Sequence, residues 1–143
     1  MNQAEITLEL SKLASEQFKD DTLSYFAESN QGRFGSLNQQ QARSRKSRRQ
    51  EREIELLAIL RERGLSYDPP EFEITFAVRA TKSAVEVSRG WKQGYTAVPV
   101  SSVVAEAGFR FALITGDCPH TVRGSSFQEA SDRALAEHRE KCL

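Results

Sequence analysis

No proline occurs before Pro69, and all four prolines of the 143-residue chain lie from there onward. Proline removes a helical N–H and clashes with the preceding turn. Its absence leaves the front half open to long uninterrupted helices, and Asp68-Pro69-Pro70 divides that front from a strand-bearing back. Cysteine is almost as scarce: the two residues, Cys118 and Cys142, exclude the disulfide framework of small secreted domains. Reduced thiols in a cytoplasm are the expectation. Long apolar runs are missing. The longest plain one, Leu56 to Leu60, is far short of the roughly 20 residues that span a bilayer, so no membrane partner is expected. Met1-Asn2-Gln3-Ala4-Glu5 has no basic stretch followed by an apolar one, which predicts no secretory signal. Net charge is missing too: 20 Lys+Arg balance 20 Asp+Glu, so total charge names no partner. No phosphate-cradling glycine loop, H-E-x-x-H helix or G-x-S-x-G elbow is present. The chain is therefore read as non-enzymatic and without a cofactor. At 38% hydrophobic residues, part of it should lie outside a core.

What is present has clear periodicity. Ile6, Leu10, Leu13, Ala14, Phe18, Thr22 and Tyr25 follow a helical spacing and predict a helix over 4–26, with Asp20-Asp21 as a point of interruption. A glycine-containing loop follows near 29–36. A second helix is predicted over 37–63, with Ser36 as N-cap and Gly64 at C′. Its later half, with Ile54, Leu56, Leu57, Ile59 and Leu60, can bury a face. Its earlier half has no apolar stripe, so the expectation is that it projects into solvent, frays or orders on a partner.

Past Pro70 the period becomes two. Phe72, Ile74, Phe76 and Val78 alternate with polar or small residues as a half-buried strand. Strands are also predicted at 84–87, at 95–100 with Pro99 marking an edge, and at 109–115, with 101–107 ambiguous. Short connections favour an antiparallel meander. A last helix is predicted over 127–142, opened by a capping box of Ser126 and Glu129. The expected fold is thus α+β: two N-terminal helices, a four-stranded mainly antiparallel sheet, and a C-terminal helix packed on the sheet. Residues 1–64 would form the helical region and 65–143 the sheet with its helix.

Three features could carry chemistry. First, Arg43, Arg45, Lys46, Arg48, Arg49 and Arg52 stand within ten residues, opposed in that stretch only by Glu51. Like charges on adjacent turns repel. A polyanion would relieve this and release counterions, and guanidinium forks match phosphate oxygens. The segment resembles arginine-rich RNA-binding peptides, which implies nucleic acid or a ribonucleoprotein as partner. The bland reading stands level with it: a helix whose charges pair with Glu9, Glu16, Asp20 and Asp21 of the first helix. An acidic protein surface is the remaining alternative.

Second, the only cysteines and histidines, Cys118, His120, His138 and Cys142, read C-x-H…H-x3-C. One-turn spacing of the last pair suits zinc. Against a single site, His138 would lie about 18 Å along a helix begun at Ser126, and 120–126 would have to run back almost fully extended. The adopted reading is no metal, two free thiols and two surface histidines, with zinc as the alternative. Cys118 with His120 as nucleophile and base lacks an orienting third group.

Third, Trp91 sits with Arg89, Lys92 and Tyr95 in a glycine-flanked turn. It could be a platform on which bases stack, with Lys92 as a phosphate contact. The edge of a core is the reading preferred.

Leu56 to Leu65 with Pro70-Glu71-Phe72-Glu73-Ile74, and Gly124 to Ala130 with Ala134, look like the first helix and strand and the last helix of the double-stranded-RNA-binding domain. The resemblance implies an α-β-β-β-α order over about half the chain. Where that family carries a lysine pair to grip phosphates, this chain has Phe127 and Gln128. Segment 80–108 is also longer than the family's middle strands allow.

The functional expectation is a small non-enzymatic binding protein that uses its basic helix on nucleic acid. The alternative is an interaction or inhibitor protein, of the kind common in phages and mobile elements, docking on a protein. A homo-oligomer is compatible with either.

Overall fold

Residues 1–29, 35–100 and 116–142 are described by the structure, a computed structural model. The chain divides into two compact units, Met1–Glu71 and Phe72–Leu143.

The first unit is a pair of helices, α1 (Gln3–Ser29) and α2 (Gly35–Glu62). With no proline and few glycines to break it, α1 runs through Asp20-Asp21 without interruption. Ile6 and Leu10 of α1 bury against Leu56 and Leu60 of α2, and Leu13, Leu57, Ile59, Leu65 and Tyr67 pack around them. Thr22 is buried as well; its hydroxyl donates to the Phe18 carbonyl, so it needs no polar partner outside the helix. α2 ends where the chain turns left-handed at Gly64 (φ 68°). There Gly64 N–H donates to Arg61 O and Leu65 N–H to Leu60 O. This is the Schellman arrangement, and Leu65 closes it by packing on the same cluster as Leu60.

The second unit holds β1 (Phe72–Ala80), α3 (Ala84–Ser88), β2 (Tyr95–Pro99), β3 (Cys118–Gly124) and α4 (Phe127–Lys141). The α+β class stands, but the expected four-stranded meander does not: among the described residues the sheet has three antiparallel strands in the order β2-β1-β3. β1 is central, so β2 and β3 are not hairpin neighbours. The expected strand at 84–87 is the short helix α3. Ser83 Oγ accepts from Glu86 N–H and Glu86 Oε2 accepts from Ser83 N–H. This capping box outweighs the β-propensity of Val85 and Val87, whose side chains stay exposed. The strand expected at 109–115, the segment 101–107 and the loop at 30–34 lie outside the described residues.

β3 occupies a stretch the sequence reading left without regular structure. Pro99 and Pro119 fall on the two outer strands of the sheet formed by the described residues, where a missing donor is tolerated. One face of β1, with Ile74, Phe76 and Val78, stands opposite Val122, His120 and Cys118 of β3. α4 covers this face with Ala130 and Ala134, both fully buried, and Phe127 packs on Phe76 with ring centroids 5.6 Å apart.

Candidate metal centre

The arginine-rich stretch is largely neutralised within its own unit. Arg45 Nε lies 3.1 Å from Asp20, Arg49 Nη1 lies 2.6 Å from the same carboxylate, and Arg52 Nε lies 2.6 Å from Glu9. Glu16 adds a longer contact to Arg49 at 3.7 Å. The seam between α1 and α2 is therefore apolar at the Ile6/Leu60 end and ionic at the Asp20/Arg45 end. The unstriped half of α2 is held by charge, which corrects the expectation that it projects or frays. The hydrogen bond from Arg52 holds Glu9 below the usual carboxylate range. At Asp20 burial pushes the other way, but the bonds from Arg49 and Arg45 outweigh it and the carboxyl again stays low. Arg43, Lys46 and Arg48 are exposed and have no carboxylate partner among the described residues; Arg48 donates to Ser44. Lys92 is exposed in the turn before β2.

The four residues set aside as scattered do converge. Cys118 and His120 alternate on β3 and so point to one face; His138 and Cys142 are one turn apart at the end of α4. Their ligand atoms all lie within 4.8 Å of one another. The geometric objection fails because 118–124 is itself the extended run it demanded. Two residues of strand advance about 6.6 Å, and one i,i+4 step of helix advances about 6 Å. β3 and α4 run antiparallel, so the row Gly124, Val122, His120, Cys118 keeps pace with the row Ala130, Ala134, His138, Cys142.

The close approach at the hairpin's closed end depends on glycine. A Cβ on Gly124 would stand 2.8 Å from the Ala130 nitrogen and 3.0 Å from its Cα. Ser126 Oγ caps α4 by accepting from Glu129 N–H, but the Glu129 carboxylate reaches back to Ser125 N–H, one residue before the capping-box position.

Inside the cluster, His120 Nε2 and His138 Nδ1 are 3.2 Å apart, Cys142 Sγ and His120 Nε2 3.7 Å, and the two Sγ atoms 3.2 Å. With Zn–N near 2.05 Å and Zn–S near 2.3 Å, a tetrahedron has edges of about 3.3 Å for N–N, about 3.6 Å for S–N and about 3.8 Å for S–S. The first two match and the sulfur pair is somewhat closer. A disulfide would need about 2.05 Å, and both cysteines are free.

The surroundings suit a cation. His120 and His138 are only 5% and 7% exposed, so they are not the surface histidines expected. Burial, then the neighbouring His120, lowers the pKa of His138 and keeps its ring neutral with a lone pair to give. Glu137 Oε1 stands 3.3 Å from His120 Nδ1, the ring nitrogen turned away from the cluster. A carboxylate there fixes tautomer and ring orientation, as carboxylates do behind metal-bound histidines. Glu137 is held below the usual range by His120 first and by Lys141 next. Tyr95 of β2 packs on the His138 ring, centroids 5.0 Å apart. Cys118 is pushed up by its hydrogen bond with Cys142 and by burial, so only a cation would favour its thiolate.

Two thiolates and two neutral imidazoles around Zn²⁺ would sum to zero charge, which offsets much of the cost of burying an ion. Four protein ligands fill a tetrahedron and leave no open position for water or substrate. Two signals in the sequence pointed here: the alternation Cys118, His120, Val122 at strand period, and the run Ala130, Ala134, His138, Cys142 at helix period. No family model matches this chain, and comparison with curated proteins and with solved structures gives no match.

Proposed function

We propose that this chain is a non-enzymatic binding protein whose Phe72–Leu143 unit is closed by one structural zinc ion on Cys118, His120, His138 and Cys142. The observation that carries this is the convergence of four ligand atoms from a strand and a helix to within 4.8 Å, with the His120–His138 and Cys142–His120 separations near those of tetrahedral zinc. The saturated donor set argues for a structural ion over a catalytic one. The test is metal analysis of the purified full chain, with cobalt substituted for spectroscopy. One equivalent of zinc and a tetrahedral cobalt spectrum with sulfur charge-transfer bands are expected. Cys118→Ser and His138→Ala should each lose both signals. Purification with less than a tenth of an equivalent, and no uptake of added zinc, overturns the proposal.

A second reading, nucleic-acid contact by α2, now rests on Arg43, Lys46 and Arg48 alone. Replacing these three with Gln should abolish any salt-sensitive binding by this helix and leave its pairing with α1 intact. A defined protein co-purifying after nuclease treatment would favour a protein partner instead.

A further inference from the structure

The connection between β1 and β2 presents the chain's single tryptophan to solvent on a rigid support. Trp91 is 61% exposed, so it is not the core-edge residue that its sequence context favoured. α3 ends as α2 does: Gly90 (φ 94°) donates N–H to Val87 O and Trp91 donates to Glu86 O. At the end of α2 the residue after the glycine is Leu65, which tucks onto the apolar cluster. At the end of α3 that residue is Trp91, and α3 buries none of its own residues. The turn is not loose. The Gln93 amide bonds both the N–H and the C=O of Lys82, and Thr81 N–H donates to Gly94 O. A Cβ on Gly94 would stand 2.7 Å from the Thr81 hydroxyl, so the turn is closed tightly there.

The charge around the indole is positive. Lys82 Nζ stands over the ring, 5.3 Å from its centroid. Arg89 and Lys92 flank Trp91 within two residues and are exposed. Glu86 is the one acid of the turn, and its carboxylate is committed to the Ser83 N–H in the capping box. Lys82 stands over one face, and the residue as a whole is 61% exposed, which leaves indole surface for a ligand.

We propose that Trp91 is a stacking platform for a base of single-stranded nucleic acid, with Lys82, Arg89 and Lys92 receiving the adjoining phosphates. Every base has a π-face, so an aromatic plane ringed by cations takes single strands without reading sequence. A duplex hides those faces within its stack. The proposal does not depend on the metal: platform and zinc ligands share no residue.

The experiment uses the full chain as purified. Because Trp91 is the only tryptophan, its fluorescence reports the site directly. Ten-nucleotide oligo(dT), oligo(dA) and oligo(U) titrated at low salt should each quench it saturably, and a duplex of equal length should not. The logarithm of affinity should fall against that of salt with a slope of about −2 for three phosphate contacts on a single strand. In an anisotropy assay with labelled oligonucleotide, Trp91→Ala should weaken binding by about fivefold to a hundredfold and Trp91→Phe should restore most of it. Lys92→Gln should weaken binding and reduce the slope by about 0.7. Circular dichroism should be unchanged in all three. Absence of saturable quenching by any single strand overturns the proposal. So does parental affinity in Trp91→Ala, in which case loss of binding on Arg43, Lys46 and Arg48→Gln assigns the contact to α2.

Discussion

Zinc activity should set the thermal stability of the Phe72–Leu143 unit. The inner face of α4 is small and, toward the open end of the β3–α4 hairpin, polar: the helix row is Ala130, Ala134, His138, Cys142, and the buried His120 and His138 face each other at 3.2 Å. Two alanines supply little apolar burial, so the ion would do there what large hydrophobic side chains do elsewhere. Zinc that binds only the folded state adds RT ln(1 + [Zn]/Kd), or about 2.7 kcal/mol at a hundred times Kd. For a unit of this size 1 kcal/mol moves Tm by about 4–8 °C, so the expected rise is roughly 10–20 °C. The assay is calorimetry of the full chain in zinc buffers spanning three decades of free ion, with magnesium as control. A transition that climbs with zinc in the parent and stays level in Cys142→Ser supports the reasoning. A parent Tm constant within about 2 °C across that range would refute it.

Three further outcomes are expected. Gly124→Ala, which drives a methyl into the Ala130 backbone, should cost about 1–3 kcal/mol and lower zinc affinity with it; calorimetry and a chelator competition read both. Glu137→Gln keeps the size but removes the carboxylate behind His120, and competition against a zinc chelator should show affinity falling about 10- to 100-fold while the cobalt spectrum stays tetrahedral. Glu9 and Asp20 have pKa values held below their ordinary 4.5 and 3.8, so the stability they lend α1 and α2 is present above those values and is lost as pH falls through the lower folded values. Asp20→Asn should therefore lower Tm of the helical pair at neutral pH, with the gap to the parent narrowing as the pH falls below 3.8 and the parent's carboxylate is protonated; a gap undiminished in acid would contradict the assigned ion pairs.

Part of this protein was plain in its residues. The long front helices follow from the missing prolines and the spacing of Ile6, Leu10, Leu56 and Leu60. The left-handed stop at Gly64 and the cap at Ser126 are local signals, legible because the partners lie within a few residues. β1 is legible because three large apolar side chains alternate through it. β3 was not, since two of its inward positions carry Cys118 and His120 in place of apolar residues, so the usual alternation is hidden. α3 was misread because valines suggested a strand while the Ser83/Glu86 box settled the backbone. The Trp91 exposure depends on what a turn leaves uncovered, and spacing along the chain carries no such information.

By itself the sequence determined the change from helical to strand periodicity around Asp68-Pro69-Pro70, the helix-forming stretches before it, and an inventory of four soft and borderline donors near one end. Only the tertiary structure decided where the charges and those donors meet. It turned Arg45, Arg49 and Arg52 toward the carboxylates of α1, and it laid a strand and a helix side by side. The physical reason is that ion pairs and metal ligands act at a few ångströms in space. Such proximity arises when two periods, about 6.6 Å per strand pair and about 6 Å per helical step, run antiparallel in register.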